Sequence, residues 1–149
     1  MAAAGLPGCA SIMSSATSGL ADNLSAAILN QDDPETVRDG APAYLLMLDS
    51  FVQGSPEDPA MLGAAAELYA AYGNIFVDDP ERAKRLTNRS RSYGRQALCA
   101  TNPSTCRIWD RAFEGFSTGL DETGSGDVGA LYTVGLSWLA YIEAHRDEW

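Results

Sequence analysis

Two stretches of this chain are apolar around nearly the whole circumference of a helix, and that limits what the rest can be. Met61–Val77 carries strong polar heads only at Glu67 and Asn74, which share one helical face at i and i+7. Ala130–Ile142 is interrupted only by Thr133 and Ser137. A helix that is apolar on all sides has to be covered on all sides. Neither stretch reaches the ~20 apolar residues that cross a bilayer. The cover must come from other helices. The second stretch lies in the last element before Trp149. Its cover is therefore expected from further chain, from a partner subunit, or from both.

The remaining sequence supplies helices separated by Pro, Asp and Gly. Residues 10–30 hold Ile12, Met13, Ala16, Leu20, Leu24, Ala27 and Ile28 at helical spacing. Asp33-Pro34-Glu35 combines an N-cap, a proline at the first position and an acid against the helix dipole. That helix is expected to reach Gln53, with a kink or break at Gly40–Pro42, and to end at Gly54-Ser55-Pro56. Asp58-Pro59 starts a helix to about Val77, and Asp79-Pro80-Glu81 another to about Cys99. A short helix is expected over 105–118, a loop over 119–127 and a last helix from about 128. Strand alternation is absent, so the fold class is all-α.

The recurring starts suggest degenerate tetratricopeptide-like repeats, antiparallel helix pairs stacked in tandem. Ala65, Ala66 and Tyr69 fit the first helix of such a pair. Ser90, Tyr93, Ala97, Leu98 and Pro103 fit the end of the second. A plain helical bundle is the other reading.

Composition excludes several functions. The 149 residues suit one domain, and 46% hydrophobic with 20% charged residues is neither a disordered chain nor a small disulfide scaffold. Twenty acids against ten bases give a net charge of −10, the wrong sign for nucleic acid or anionic lipid. One His and three Cys leave few ligands for a transition metal, and no cofactor is expected. There is no Gly-x-Ser-x-Gly, phosphate loop or pair of catalytic carboxylates. His145 lies between Glu143 and Asp147, but alternate residues do not share a helix face. It reads as a dipole partner or surface group, and no catalytic residue is assigned.

The chain begins Met-Ala-Ala-Ala-Gly-Leu6-Pro7-Gly8-Cys9. Leu-x-Gly-Cys resembles the bacterial lipobox, in which the Cys becomes the new terminus and carries diacylglycerol. On this reading residues 1–8 are the residual end of a signal peptide and 9–149 a helical-repeat domain, incomplete at its carboxyl end. Only eight residues precede Cys9, none charged, and a working signal segment needs a positive start and about 7–15 apolar residues. Cys9 as an ordinary thiol is the alternative.

Three segments carry a family resemblance. They are Tyr44-Leu-Leu-Met-Leu-Asp-Ser-Phe51, Phe76-Val-Asp-Asp-Pro-Glu-Arg-Ala-Lys-Arg-Leu86 with Tyr93-Gly-Arg-Gln-Ala-Leu-Cys99, and Trp138-Leu-Ala-Tyr-Ile-Glu-Ala-His-Arg-Asp-Glu-Trp149. With a lipobox Cys ahead of a helix, they resemble the T-component family (TatT) of TRAP, the tripartite ATP-independent periplasmic transporters. The resemblance implies a lipid-anchored periplasmic protein of tetratricopeptide-like helix pairs, forming homotrimers. It implies association with the P component, the solute-binding protein, in an accessory and non-catalytic role. A general interaction scaffold unrelated to transport is the alternative.

Four sets of residues are candidates for specific roles. Cys99 and Cys106 flank a Pro-containing loop that can bring two Cα atoms into disulfide range; two free thiols are the other reading. In the periplasm such a bond would persist. Glu67 and Asn74, with Tyr69, Tyr72 and Phe76 nearby, are candidates for a mostly apolar ligand groove. Arg82, Arg85 and Arg89 form one stripe, and Lys84, Arg91 and Arg95 a second. The stripes are either solvated flanks or a docking patch for an acidic partner or a cargo carboxylate. Asp49, inside Leu45–Val52, reads as paired or half exposed.

Overall fold

The computed structural model describes residues 23, 26–28 and 30–148. Their α-helices are α1 (Pro34–Gly54), α2 (Pro59–Ile75), α3 (Pro80–Thr101), α4 (Phe113–Leu120) and α5 (Val128–Ala144). Single 3-10 turns occupy Pro103–Thr105, Ile108–Asp110, Ser125–Asp127 and Arg146–Glu148. The fold is all-helical, with no strand among the described residues. Most of the helix expected over residues 10–30, and Cys9, lie outside them.

The Asp-Pro starts work as the sequence indicates. Asp33 accepts from the Glu35 amide at 3.1 Å, Asp58 from Ala60 and Met61 at 2.9 and 3.2 Å, and Asp79 from Arg82 at 2.7 Å. Each proline supplies the preset φ and removes a donor that would have no partner. Each cap contributes about 1 kcal/mol.

Of the kink or break expected at Gly40–Pro42, the break does not occur, and α1 runs through Pro42. Ala41, Leu45, Leu48 and Val52 form one buried stripe across it, so packing overrides the local preference. The acceptor that Pro42 leaves unpaired belongs to Arg38, on the exposed side. The helix expected over 105–118 is also corrected. Two 3-10 turns precede α4, which begins only at Phe113. A disulfide joins Cys99 and Cys106 with their Cα atoms 4.4 Å apart. Seven residues of helix would span about 10.5 Å, so the chain has to double back here.

Helix α2 occupies the middle, with α1 on one side and α3 and α5 on the other. Leu45, Leu48 and Val52 meet Met61, Leu62, Ala65 and Tyr69, and Tyr93 and Ala97 close the core from α3. Ala65 and Ala66 are wholly buried and let α3 approach closely enough for Ser90 Oγ to donate to the Ala66 carbonyl at 2.7 Å. A second, aromatic cluster stacks Trp109, Phe116 and Trp138, with ring centroids 5.4–5.7 Å apart. The end of the described chain is tied to α3 by Lys84, which reaches Asp147 at 3.0 Å and Glu148 at 2.8 Å. Its bonds to Glu148 and then Asp147 raise the ammonium pKa above the ordinary lysine value.

Helices α3 and α5 meet at Gly94. A Cβ there would stand 2.6 Å from Ser137 Oγ and 3.5 Å from the Val134 Cα. Gly94→Val is expected to lower the unfolding free energy by about 2–3 kcal/mol, as overpacking does. Gly135, with nothing within 4 Å of its added carbon, is the control. Gly135→Ala is expected to raise stability by about 0.5–1 kcal/mol. Urea midpoints of the two variants, moving in opposite directions, check both.

Candidate functional site

A buried carboxylate holds three helices together. Asp49 of α1 is only 8% exposed. It accepts from the Tyr69 hydroxyl of α2 at 2.8 Å and from the Tyr93 hydroxyl of α3 at 2.7 Å. Arg89 of α3 completes the set with an ion pair of 2.8 Å to Asp49 Oδ2. Its guanidinium also donates to Tyr93 and lies 5.4 and 5.7 Å from the ring centres of Tyr69 and Tyr93. Burial first, and then the bond to Asp49, raises the pKa of both tyrosines above the usual phenol value. Every oxygen of Asp49 is engaged, so this cluster fastens helices rather than offering a free acid.

The five residues expected to line one groove lie on opposite faces of α2 or just past its end. At 100° per residue, Glu67 and Asn74 fall together, and Tyr69, Tyr72 and Phe76 fall on the other side. Tyr69 turns to Asp49, and Tyr72 stacks with Phe76 at 6.0 Å beneath the guanidinium of Arg82. Asn74 is exposed. Glu67 lines a cleft of about 440 Å³ between α2 and α5, where Thr133 donates to it at 2.7 Å. The arginine stripe divides likewise: Arg89 is taken by Asp49, Arg82 lies over Tyr72, and Arg85 remains exposed.

His145 is buried, not at the surface. Its Nδ1–H donates to the Tyr141 carbonyl at 2.8 Å, and its Nε2 accepts from the Asn88 amide at 3.4 Å. Its ring stacks on Tyr141, with centroids 3.9 Å apart.

The outer face of α5 is the most unusual surface. The helix turns its small and polar residues inward: Thr133, Val134, Ser137 and Ala140 are buried. Four large apolar residues face out, with Val128 60%, Tyr132 65%, Leu139 65% and Ile142 49% exposed. These four fall within about 80° on the helix, so they form one stripe. Tyr132 also lines the cleft that holds Glu67, so stripe and cleft are continuous. Sequence reading takes Thr133 and Ser137 for interruptions of an apolar surface. They are the residues that let α5 seat on α2 and α3. Asp49 and Tyr93 carry a fainter signal, an acid beside the 45/48/52 stripe and a tyrosine on the apolar face of α3.

Among the described residues the chain is an all-helical body with a polar clasp in its core and an apolar helix face that no other described element covers. The model of the TRAP transporter T-component family matches residues 30–149. The chain belongs to that family, and its role is an accessory one in TRAP transport. No curated protein and no solved structure matches it. No helix among the described residues is long and apolar enough to cross a membrane, and no cluster of metal-binding side chains occurs among them.

Proposed function

We propose that this chain is a non-catalytic, lipid-anchored periplasmic subunit that binds the P-component solute-binding protein of a TRAP uptake system. The anchor is Cys9, and the chain meets the membrane through the lipid it carries. The outward stripe Val128, Tyr132, Leu139 and Ile142 carries the reading, because four large apolar side chains left in water on one helix are stabilised by a partner's surface. A second copy of the chain covers part of that face, in a homotrimer by analogy with the family. The Cys99–Cys106 disulfide supports the compartment, since such bonds persist where the medium is oxidising.

The test is chemical crosslinking in native membranes, followed by purification through the precursor carrying its complete leader. The expected result is a TRAP solute-binding protein recovered with the chain. Cys9→Ser is expected to move the chain from the membrane fraction to the soluble one. A Cys9→Ser protein that still sediments with membranes refutes the anchor. Recovery of unrelated proteins only favours a general scaffold and ends the transport reading.

A further inference from the structure

On the side of α3 away from the core, Arg91 and Arg95 border an opening of about 400 Å³ closed by Trp109 and the Cys99–Cys106 disulfide. Both cations are held by rings. The Arg91 guanidinium carbon lies 4.5 Å from the Tyr141 centroid, and that of Arg95 lies 5.2 Å from the Trp109 centroid. Stacking fixes a guanidinium by its face and leaves its N–H edge for a ligand.

Neither arginine is matched by an acid in the way that Arg89 and Lys84 are. Among the described residues Arg91 has no ion pair, and Arg95 has only Asp110 at 3.8 Å. This holds in a chain with twenty acids and ten bases, where a carboxylate is easy to supply. Burial, and then the neighbouring Arg91 charge, lowers the pKa of Arg95 below the ordinary arginine value. Two donors at the same opening are also orphaned. Arg91 Nε and Trp109 Nε1 are shut off from solvent, with no protein acceptor among the described residues. Being closed to solvent, these two nitrogens cannot meet a ligand in the opening; the terminal guanidinium nitrogens of Arg91 and those of Arg95 are not so closed.

We propose that this opening binds a small organic carboxylate. The acid group sits at the guanidinium ends of Arg91 and Arg95, and the apolar body rests on Trp109 and the disulfide. A planar two-oxygen acid matches the N–H edge of a guanidinium. The volume falls within the roughly 300–1,000 Å³ of small-molecule sites. Asn88 and Gln96 line the edge. The site is independent of which protein docks on α5, and the chain alone serves for its test.

The experiment is isothermal titration of the purified chain with benzoate and hexanoate, with benzamide as the uncharged match and inorganic phosphate as the other oxyanion. Saturable one-to-one binding of at least one acid is expected. Arg91→Gln and Arg95→Gln each weaken it about tenfold or more. Arg38→Gln, an exposed ion-paired residue of α1, leaves it unchanged. Arg91→Lys and Arg95→Lys keep the charge and lose the two-oxygen fork, so each weakens binding severalfold and serves if a glutamine variant unfolds. The proposal is overturned if neither acid saturates, if benzamide binds as well as benzoate, or if the arginine variants bind like the parent. Phosphate binding tighter than both acids overturns the carboxylate assignment.

Discussion

Asp49→Ala is expected to lower the unfolding free energy by about 3 kcal/mol, a large part of the 5–15 kcal/mol that holds a domain of this kind folded. The truncation leaves the hydroxyls of Tyr69 and Tyr93 without their acceptor inside the junction of α1, α2 and α3. Each buried hydroxyl so orphaned costs about 1–3 kcal/mol. The Arg89 head is nearly half exposed and can turn to water, which keeps the loss below that of a fully buried ion pair. For the same reason Arg89→Ala is expected to cost only about 1 kcal/mol. Asp49→Asn retains a carbonyl acceptor and should fall between the two. Urea unfolding followed by circular dichroism measures all three. An Asp49→Ala protein within 0.5 kcal/mol of the parent, roughly the noise of a surface change, shows that the clasp contributes nothing. The raised tyrosine pKa values add a pH signature. Both phenols keep their protons in the folded state at pH values where the unfolded chain loses them. Their contribution is complete below about pH 10 and declines as pH rises beyond it. Asp49→Ala should flatten that alkaline decline.

Tyr132→Glu combined with Leu139→Glu is expected to abolish assembly while leaving the fold nearly unchanged. Both side chains are 65% exposed, so neither substitution opens the core. Surface changes of this kind usually stay within about 0.5 kcal/mol of the parent. At an interface each of these side chains contributes about 1.5–3 kcal/mol on burial. Placing a carboxylate there adds a desolvation cost. A loss of about 3 kcal/mol or more is a hundredfold or greater drop in affinity. Sedimentation of the parent chain at rising concentration should show association, and the double variant should remain a monomer. A parent chain that stays monomeric at every concentration and takes up no partner removes the basis of the assembly reading.

Local chemistry made much of the architecture readable. Asp33, Asp58 and Asp79 each stand before a proline, and cap and fixed φ act within one turn, so three helix starts follow from adjacent residues. The expectation of a kink or break at Gly40–Pro42 was also local, and the helix does not break there because the stripe from Ala41 to Val52 packs along its whole length. The groove over Glu67 to Phe76 failed on geometry, since proximity in sequence is not proximity around a helix. Arg91 and Trp109 carry no sequence signal as orphaned donors. That property depends on what α5 and the turn after Cys106 bring near them.

From the residues alone come the all-helical class, the positions where helices begin, and the excess of apolar surface that calls for neighbours. These follow from caps, proline and periodicity, all of which act over a few residues. Only the tertiary structure decided which face of α5 is hidden. Thr133 donates across to Glu67, Ser137 turns back to the Val134 carbonyl in the space beside Gly94, and Val128, Tyr132, Leu139 and Ile142 are left outside. Hydropathy ranks a side chain by its cost in water, whereas the direction it faces is set by the shape it has to fit against.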